Sequence, residues 1–227
     1  MKHLVRDLDQ LKREVLVMGN YVEESIDRAI EALLNRDQVL AERVMSGDDV
    51  LDEKEVAIEE ACLKVLALHQ PVAHDLRFIV AVMKVNNDLE RMGDIAVNIA
   101  KRAACLAVEP PLGGPLDFAA MTEKVQTMVR GSLDALVNLD TQLARRVLIQ
   151  DDDVDTMNRR MFRVLQDMMA GKPGTVERAV HTLSVSRHLE RIADLATNIA
   201  EDVVFMVDGE IIRHRGEQIN RGSDPAV

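Results

Sequence analysis

LERMGDIAVNIA at residues 89–100 and LERIADLATNIA at residues 189–200 are two copies of one pattern. They agree at eight of twelve positions, and in both the apolar residues recur every three or four residues. This spacing places apolar side chains on one face of an α-helix. The sequence therefore predicts the same amphipathic helix twice in one chain.

The repetition extends into the helix that precedes each copy. Residues 36–44 align with residues 139–147, and in the same register Asp49 and Asp52 align with Asp152 and Asp155. Shared packing would explain repeated apolar positions, but it does not require repeated Glu, Arg, Asp and Asn. The paired polar residues therefore indicate that each half keeps a common polar site.

Apolar stripes predict three helices in each half. In the first half they run from Leu4 to Leu33, then from a predicted N-cap at Asp37 to a turn near Gln70, and finally to Leu106. The predicted fold is all-α, with two tandem pseudo-symmetric three-helix bundles. The predicted domains are a first repeat at residues 1–108, a Pro/Gly linker at 109–116, a second repeat at 117–214 and a polar C-terminal tail at 215–227.

Composition narrows the class of protein. The 227 residues include only 2% aromatics, so Leu, Val, Ile, Met and Ala must form the core, and these residues favour helices over a β-sandwich. The formal charge of −11 repels nucleic acid and acidic lipid. Two cysteines in apolar stretches, with neither an apolar leader nor a membrane-length run, predict a reduced cytoplasmic protein without membrane insertion.

Each repeated helix carries an acidic face. Residues four apart lie one turn apart on the same side of a helix, so Glu90 and Asp94 project side by side, as do Glu190 and Asp194. Asn98 and Asn198 follow one turn later as secondary candidates. These faces lie beside the apolar stripe, which places the carboxylates at the edge of each bundle.

Hairpin counting brings a second pair of carboxylates to each face. Asp49 precedes the turn near Gln70 by about as many residues as Arg91 follows it, so the two residues stand level at equal rise per residue. Asp49 and Asp52 then face the first acidic helix. By the same count about a turn at residues 171–174, Asp152 and Asp155 face the second.

Gathered carboxylates repel one another unless their pKa values rise or a cation neutralises them. All-oxygen ligands suit hard or borderline cations, and several carboxylates per site can bridge more than one ion. We therefore predict metal binding, in preference to a solvated surface with simple ion pairs. His188 lies near the second site, but a single His is more often a surface or hydrogen-bonded residue.

Specific motifs in this chain closely resemble the PhoU family of phosphate-signalling regulators. They are QPVAHDLR at residues 70–77, the two LER motifs with Asn98 and Asn198, and the stretch from Glu201 to His214. The chain departs from the family pattern at Ala193, where the first copy has Gly93, and in the turn at residues 172–177. Gly47 within the second helix predicts a local bend.

The resemblance implies two three-helix bundles with multinuclear metal clusters, where iron, manganese, magnesium and zinc are the candidate ions. It implies no catalysis. It also implies a cytoplasmic homodimer that restrains the Pst phosphate transporter through its ATPase, PstB, and holds the histidine kinase PhoR in its repressing state. The ligand set implied is Glu90, Asp94, Glu190 and Asp194, supported by Asp49, Asp52, Asp152 and Asp155.

Two other functions remain open at this stage. A PhoU-like protein can accompany a different phosphate transporter. A carboxylate-bridged di-iron oxidase is the enzymatic alternative, but such enzymes combine Glu with Glu-x-x-His inside a four-helix core. No Glu in this chain has a His three residues later.

Overall fold

A computed structural model describes residues 2–47 and 49–208, and within these ranges every regular element is helical. The predicted all-α class is therefore confirmed. The α-helices are α1 (Lys2–Asn35), α2 (Gln38–Met45), α3 (Asp49–His69), α4 (Ala73–Ala107), α5 (Phe118–Asn138), α6 (Thr141–Gly171) and α7 (Val176–Asp208), with a 3₁₀ turn at Pro173–Thr175.

The helices form two bundles, and aliphatic and Met side chains fill the core of each. α1, α3 and α4 pack together in the first bundle, with α2 against α1 and α4, and α5, α6 and α7 form the second. Met18 and Met121, which occupy matching positions in the two halves, are both fully buried. The tandem three-helix architecture predicted from the repeat is confirmed.

Central helices α4 and α7 hold the two bundles together. Near one end of this antiparallel pair, Lys84 Nζ lies 2.9 Å from Asp202 Oδ1. Near the other end, Arg102 Nη1 lies 3.4 Å from His181 Nδ1. α1 also packs against α5. The two repeats therefore share one continuous core.

The second helix of the first repeat was predicted to be continuous, and this detail was wrong. α2 ends at Met45, and α3 begins at Asp49. The predicted bend at Gly47 is instead a helix end, where the Gly47 N–H donates to the Val44 carbonyl at 3.2 Å. Asp49 and Asp52 consequently lie in the first turn of a new helix, where the helix dipole favours negative charge.

Both repeats enter their second helix through the same local structure. The Asp37 carboxylate accepts from the Leu40 N–H at 2.9 Å, which confirms this residue as the predicted N-cap. The Asp140 carboxylate accepts from two backbone N–H groups, those of residues 142 and 143, both at 2.9 Å. Arg36 and Leu139, one residue earlier, both have positive φ, at 57° and 55°.

We expect Asp140→Ala to lower the free energy of unfolding by about 1 kcal/mol, because two backbone donors lose their acceptor. Urea titration followed by circular dichroism measures this change. Asp140→Asn keeps a capping oxygen and should lose much less. Equal losses for the two variants would contradict a capping role.

No described helix is long and apolar enough to cross a membrane. Cys62 is buried, and Cys105 is exposed. Residues 209–214 of the predicted second repeat, and the predicted tail at 215–227, lie outside the described residues. Asp48, beside the first acidic group, is also outside them.

Candidate metal centre

A close side-chain contact sets the register between α3 and α4. A Cβ built on Gly93 would lie 2.0 Å from Leu51 Cδ2, so Leu51 occupies the space that a larger residue would need. Nearby, Asn86 Nδ2 donates to the Glu55 carbonyl at 2.8 Å. The start of α3 is therefore level with residues 90–94, which is the arrangement that hairpin counting predicts.

The candidate ligands of the first repeat lie at the rim of this contact. Glu90 is half-buried, and Asp94 is exposed on the next turn of α4. Asp49 and Asp52 are exposed on either side of the buried Leu51. The two pairs thus lie at an open edge between α3 and α4, beside the core.

The carboxylates of the second repeat are more buried than those of the first and lie close enough to affect one another's pKa values. A hydrogen bond from Ser186 Oγ to Asn158 Oδ1, at 2.7 Å, holds α7 level with α6. Partial burial, followed by the charges of Asp194 and Asp155, raises the pKa of Glu190. The pKa of Asp194 is raised by the same two kinds of effect, desolvation and the charge of Asp155.

Asp151 lies among these carboxylates and is not one of the predicted ligands. Desolvation, which is the largest cause, and the charges of four carboxylates together raise its pKa from 3.8 to about 6. Its Oδ1 atom is buried and has no hydrogen-bond partner among the described residues. The four neighbouring carboxylates are Asp194, Asp155, Asp152 and Glu190.

The position of Asp151 on α6 explains its burial. It lies four residues after Val147 and three before Val154, both of which are buried, so it occupies the apolar stripe of the helix. A carboxylate within an apolar stripe was therefore the sequence signal that could have identified Asp151 as a candidate ligand. The alignment of Asp49 with Asp152 also pairs Asp48 with Asp151, so the duplication includes this position as well.

Basic groups on α7 partly offset this negative charge. Arg187 and Arg191 each lower the pKa of Glu190, although burial outweighs them. His188 is half-buried on the same helix, and its Nδ1 has no partner among the described residues. Burial, together with the charges of Arg191, Arg102 and Arg187, lowers the His188 pKa, which favours the neutral imidazole.

The donor set of the second repeat fits a hard cation in chemistry. Four carboxylates lie within electrostatic reach of Asp151, and its buried Oδ1 atom is an acceptor that lacks a donor among the described residues. In the conformation described for residues 2–47 and 49–208, no three Asp, Glu, His or Cys side chains converge closely enough to enclose a metal ion. Binding would require these side chains to rotate inward, and a cation would offset their repulsion.

Comparisons with known proteins identify the repeat. A model of the PhoU domain matches twice, at residues 15–103 and at residues 118–203. Each match falls within one of the two helical bundles and includes the acidic residues of that bundle.

Similar chains share nearly the full length of this one. A phosphate-specific transport system accessory protein PhoU homolog of Aquifex aeolicus is 43% identical over 212 residues, covering 93% of this chain and 96% of that one. The homolog of the same name in Caulobacter vibrioides is 39% identical and covers 92% of both chains.

Solved structures agree with these similarities. The crystal structure of PhoU from Pseudomonas aeruginosa has a TM-score of 0.85 at 36% identity, covering 90% of this chain and 99% of that one. The phosphate transport system regulatory protein PhoU from Streptococcus pneumoniae has a TM-score of 0.82 at 27% identity, covering 92% and 98%.

Proposed function

Because this chain belongs to the PhoU family, we propose that it is a negative regulator of phosphate uptake and of the phosphate regulon. In this proposal it acts in the cytoplasm as a homodimer, and it connects the Pst transporter ATPase, PstB, to the histidine kinase PhoR. It works by binding and performs no catalysis. The accessory and regulatory names of relatives that cover more than nine tenths of the chain support this assignment.

We further propose that the acidic groups bind metal ions. In the second repeat Asp151, Asp152, Asp155, Glu190 and Asp194 would hold the metal, and in the first repeat Asp49, Asp52, Glu90 and Asp94 would do so. The bound cation would neutralise each group and fix the packing of the acidic helices. The observation that carries this proposal is the buried, unpartnered Asp151 oxygen amid four other carboxylates.

No observation favours the other two functions. The names of the Aquifex aeolicus and Caulobacter vibrioides relatives refer to the phosphate-specific transport system. The candidate ligands are half-buried or exposed at bundle edges, whereas a di-iron oxidase places its ligands inside a four-helix core.

Complementation tests the regulatory function. A bacterial strain that lacks its own PhoU protein and carries a phosphate-regulon reporter should be repressed in high phosphate when it expresses this chain. The variant Glu90→Gln/Asp94→Asn/Glu190→Gln/Asp194→Asn should lose most of that repression, because four candidate ligands no longer carry charge.

Matched controls separate loss of metal from loss of protein. Glu53→Gln/Asp153→Asn changes one exposed carboxylate on each of the helices α3 and α6, which carry the supporting candidate ligands, and should leave repression intact. Immunoblotting establishes equal abundance. Full repression by the fourfold variant would show that regulation does not need the acidic groups, whereas no repression by the wild-type chain would overturn the regulatory function itself.

A further inference from the structure

An apolar groove lies where the first turns of α4 meet the last turns of α7. Its cavity has a volume of about 200 Å³, and it is lined by apolar residues of both helices and by three charged residues, two basic ones on α4 and one acidic one on α7. Leu76, Val80 and Phe205 expose 40%, 45% and 40% of their surface around it. Three large apolar side chains exposed around one cavity form a surface that suits a partner's apolar side chain.

Positively charged residues outnumber negatively charged ones in the lining of this groove. The charged residues that line it are Arg77, Lys84 and Asp202. Asp202 is buried and pairs with Lys84, which remains partly exposed. Arg77 is exposed and makes no ion pair with any carboxylate of the described residues. In a chain with a formal charge of −11, this surface attracts acidic groups that most of the molecule repels.

The residues at the corresponding positions of the two repeats differ in charge and in size. In the register that pairs Glu90 with Glu190, Arg77 corresponds to Glu177, and Phe205 corresponds to Cys105. Asp202 corresponds to Arg102, so the other end also carries a basic residue, but there it lies on the other helix and faces no aromatic ring at the position of Phe205. The combination of Arg77 with Phe205 is therefore specific to one end of the α4 and α7 pair. A groove needed only for packing would not require this difference between the repeats.

Building on the regulatory function proposed above, we propose that this groove docks an acidic amphipathic segment of the transporter ATPase. A large apolar side chain of the segment enters the cavity between Val80 and Phe205. Asp or Glu residues flanking it pair with Arg77 and with the exposed part of Lys84. Aromatic and Arg side chains at the centre of an interface commonly provide most of its affinity.

Photocrosslinking locates the partner. Full-length protein with p-benzoylphenylalanine in place of Val80 is irradiated with the purified ATPase, and the crosslinked peptide is identified by mass spectrometry. We expect a peptide with a large apolar residue flanked by Asp or Glu. The same photocrosslinker in place of Val180, an exposed residue at the matching position of α7, is the control and should give little product.

Charge reversal tests the recognition chemistry. We expect Arg77→Glu to weaken ATPase binding about tenfold, which is the usual effect of losing an interface anchor. Reversing the acidic residues of the crosslinked segment to Lys should restore binding to this variant. Glu177→Arg is the matched control in the other repeat and should leave the affinity unchanged. Circular dichroism establishes that each variant is folded.

Several results would overturn the docking surface. One is a crosslink from the photocrosslinker at position 80 to residues 209–227, to a second copy of the chain or to the kinase alone. Another is an Arg77→Glu variant that binds the ATPase with unchanged affinity. If wild-type protein represses the reporter and binds the ATPase while Arg77→Glu does both equally well, the groove assignment is wrong and the regulatory function stands. If wild-type protein does neither, both proposals fail.

Discussion

Asp151→Asn should make the metal-free protein more stable at pH 7.5 and should weaken its binding of Mn²⁺. Burial and the charges of the neighbouring carboxylates raise the Asp151 pKa from 3.8 to about 6, so folding opposes the charged form of this side chain. Asn is similar in shape but has no charge to desolvate. One substitution should thus improve folding and impair metal binding.

The stability gained by Asp151→Asn should depend on pH, and the raised pKa gives the direction of this dependence. Below pH 3.8 Asp151 is protonated in both the folded and the unfolded chain, so its charge costs nothing. As the pH rises toward 6 the unfolded chain loses its proton first, and the folded state becomes less stable. Because the side chain is only partly removed from water, we expect Asp151→Asn to gain about 1–2 kcal/mol at pH 7.5 and almost nothing near pH 3.8.

Chemical denaturation with chelator present, at both pH values, measures the stability. The electron paramagnetic resonance signal of free Mn²⁺ measures binding, for which we expect at least about a tenfold loss of affinity. Asp153→Asn is the matched control, since Asp153 lies on the exposed side of α6 and pairs with Lys124 at 2.7 Å. Unchanged Mn²⁺ binding by Asp151→Asn would contradict its assignment as a ligand.

Gly93→Ala should lower the free energy of unfolding by about 1–3 kcal/mol, the usual cost of overpacking a core. The new Cβ would lie 2.0 Å from Leu51 Cδ2, and Leu51 is buried and has little room to move. The displaced side chain also belongs to the turn of α3 that holds Asp49 and Asp52. The substitution should therefore disturb the first acidic group as well as the core.

The second repeat shows how this space can be filled differently. It has Ala193 where the first repeat has Gly93, and it has Val154 where the first has Leu51. The larger residue on α7, compared with α4, is thus accompanied by a smaller residue on α6, compared with α3. We expect Leu51→Val to recover part of the loss in a Gly93→Ala background, because Val has no Cδ2 atom.

A double-mutant cycle measures this compensation from urea unfolding of the two single variants and the double variant. Residues in contact usually show a coupling energy of about 0.5–3 kcal/mol, and here its sign should favour the double variant. Additive losses would mean that the two positions do not compete for space.

The helical fold could be predicted because its signal is local. Apolar spacing gives the faces of the helices, the Asp residues at 37 and 140 mark helix starts, and the repeat shows that the second half folds like the first. The break near Gly47 was harder to predict. A Gly inside a helical pattern indicates a bend or an end equally well, and packing decides between them.

The acidic sites were predictable in outline, because residues four apart share a face and hairpin counting brings neighbouring helices level. The depth of each carboxylate was not predictable from spacing. In the second repeat it depends on how α6 packs against α7, which partly buries Asp151 beside Glu190 and the surrounding carboxylates.

The sequence by itself determined the helical class, the duplication and the carboxylates that each repeat presents, because periodicity and residue identity are properties of the chain. The tertiary structure alone decided that one Asp151 oxygen is buried without a partner among the described residues, that Leu51 fills the space beside Gly93, and that Phe205 lies across a groove from Val80. These features arise where distant helices pack together. Burial and desolvation there depend on both surfaces at once, and no single helix contains that information.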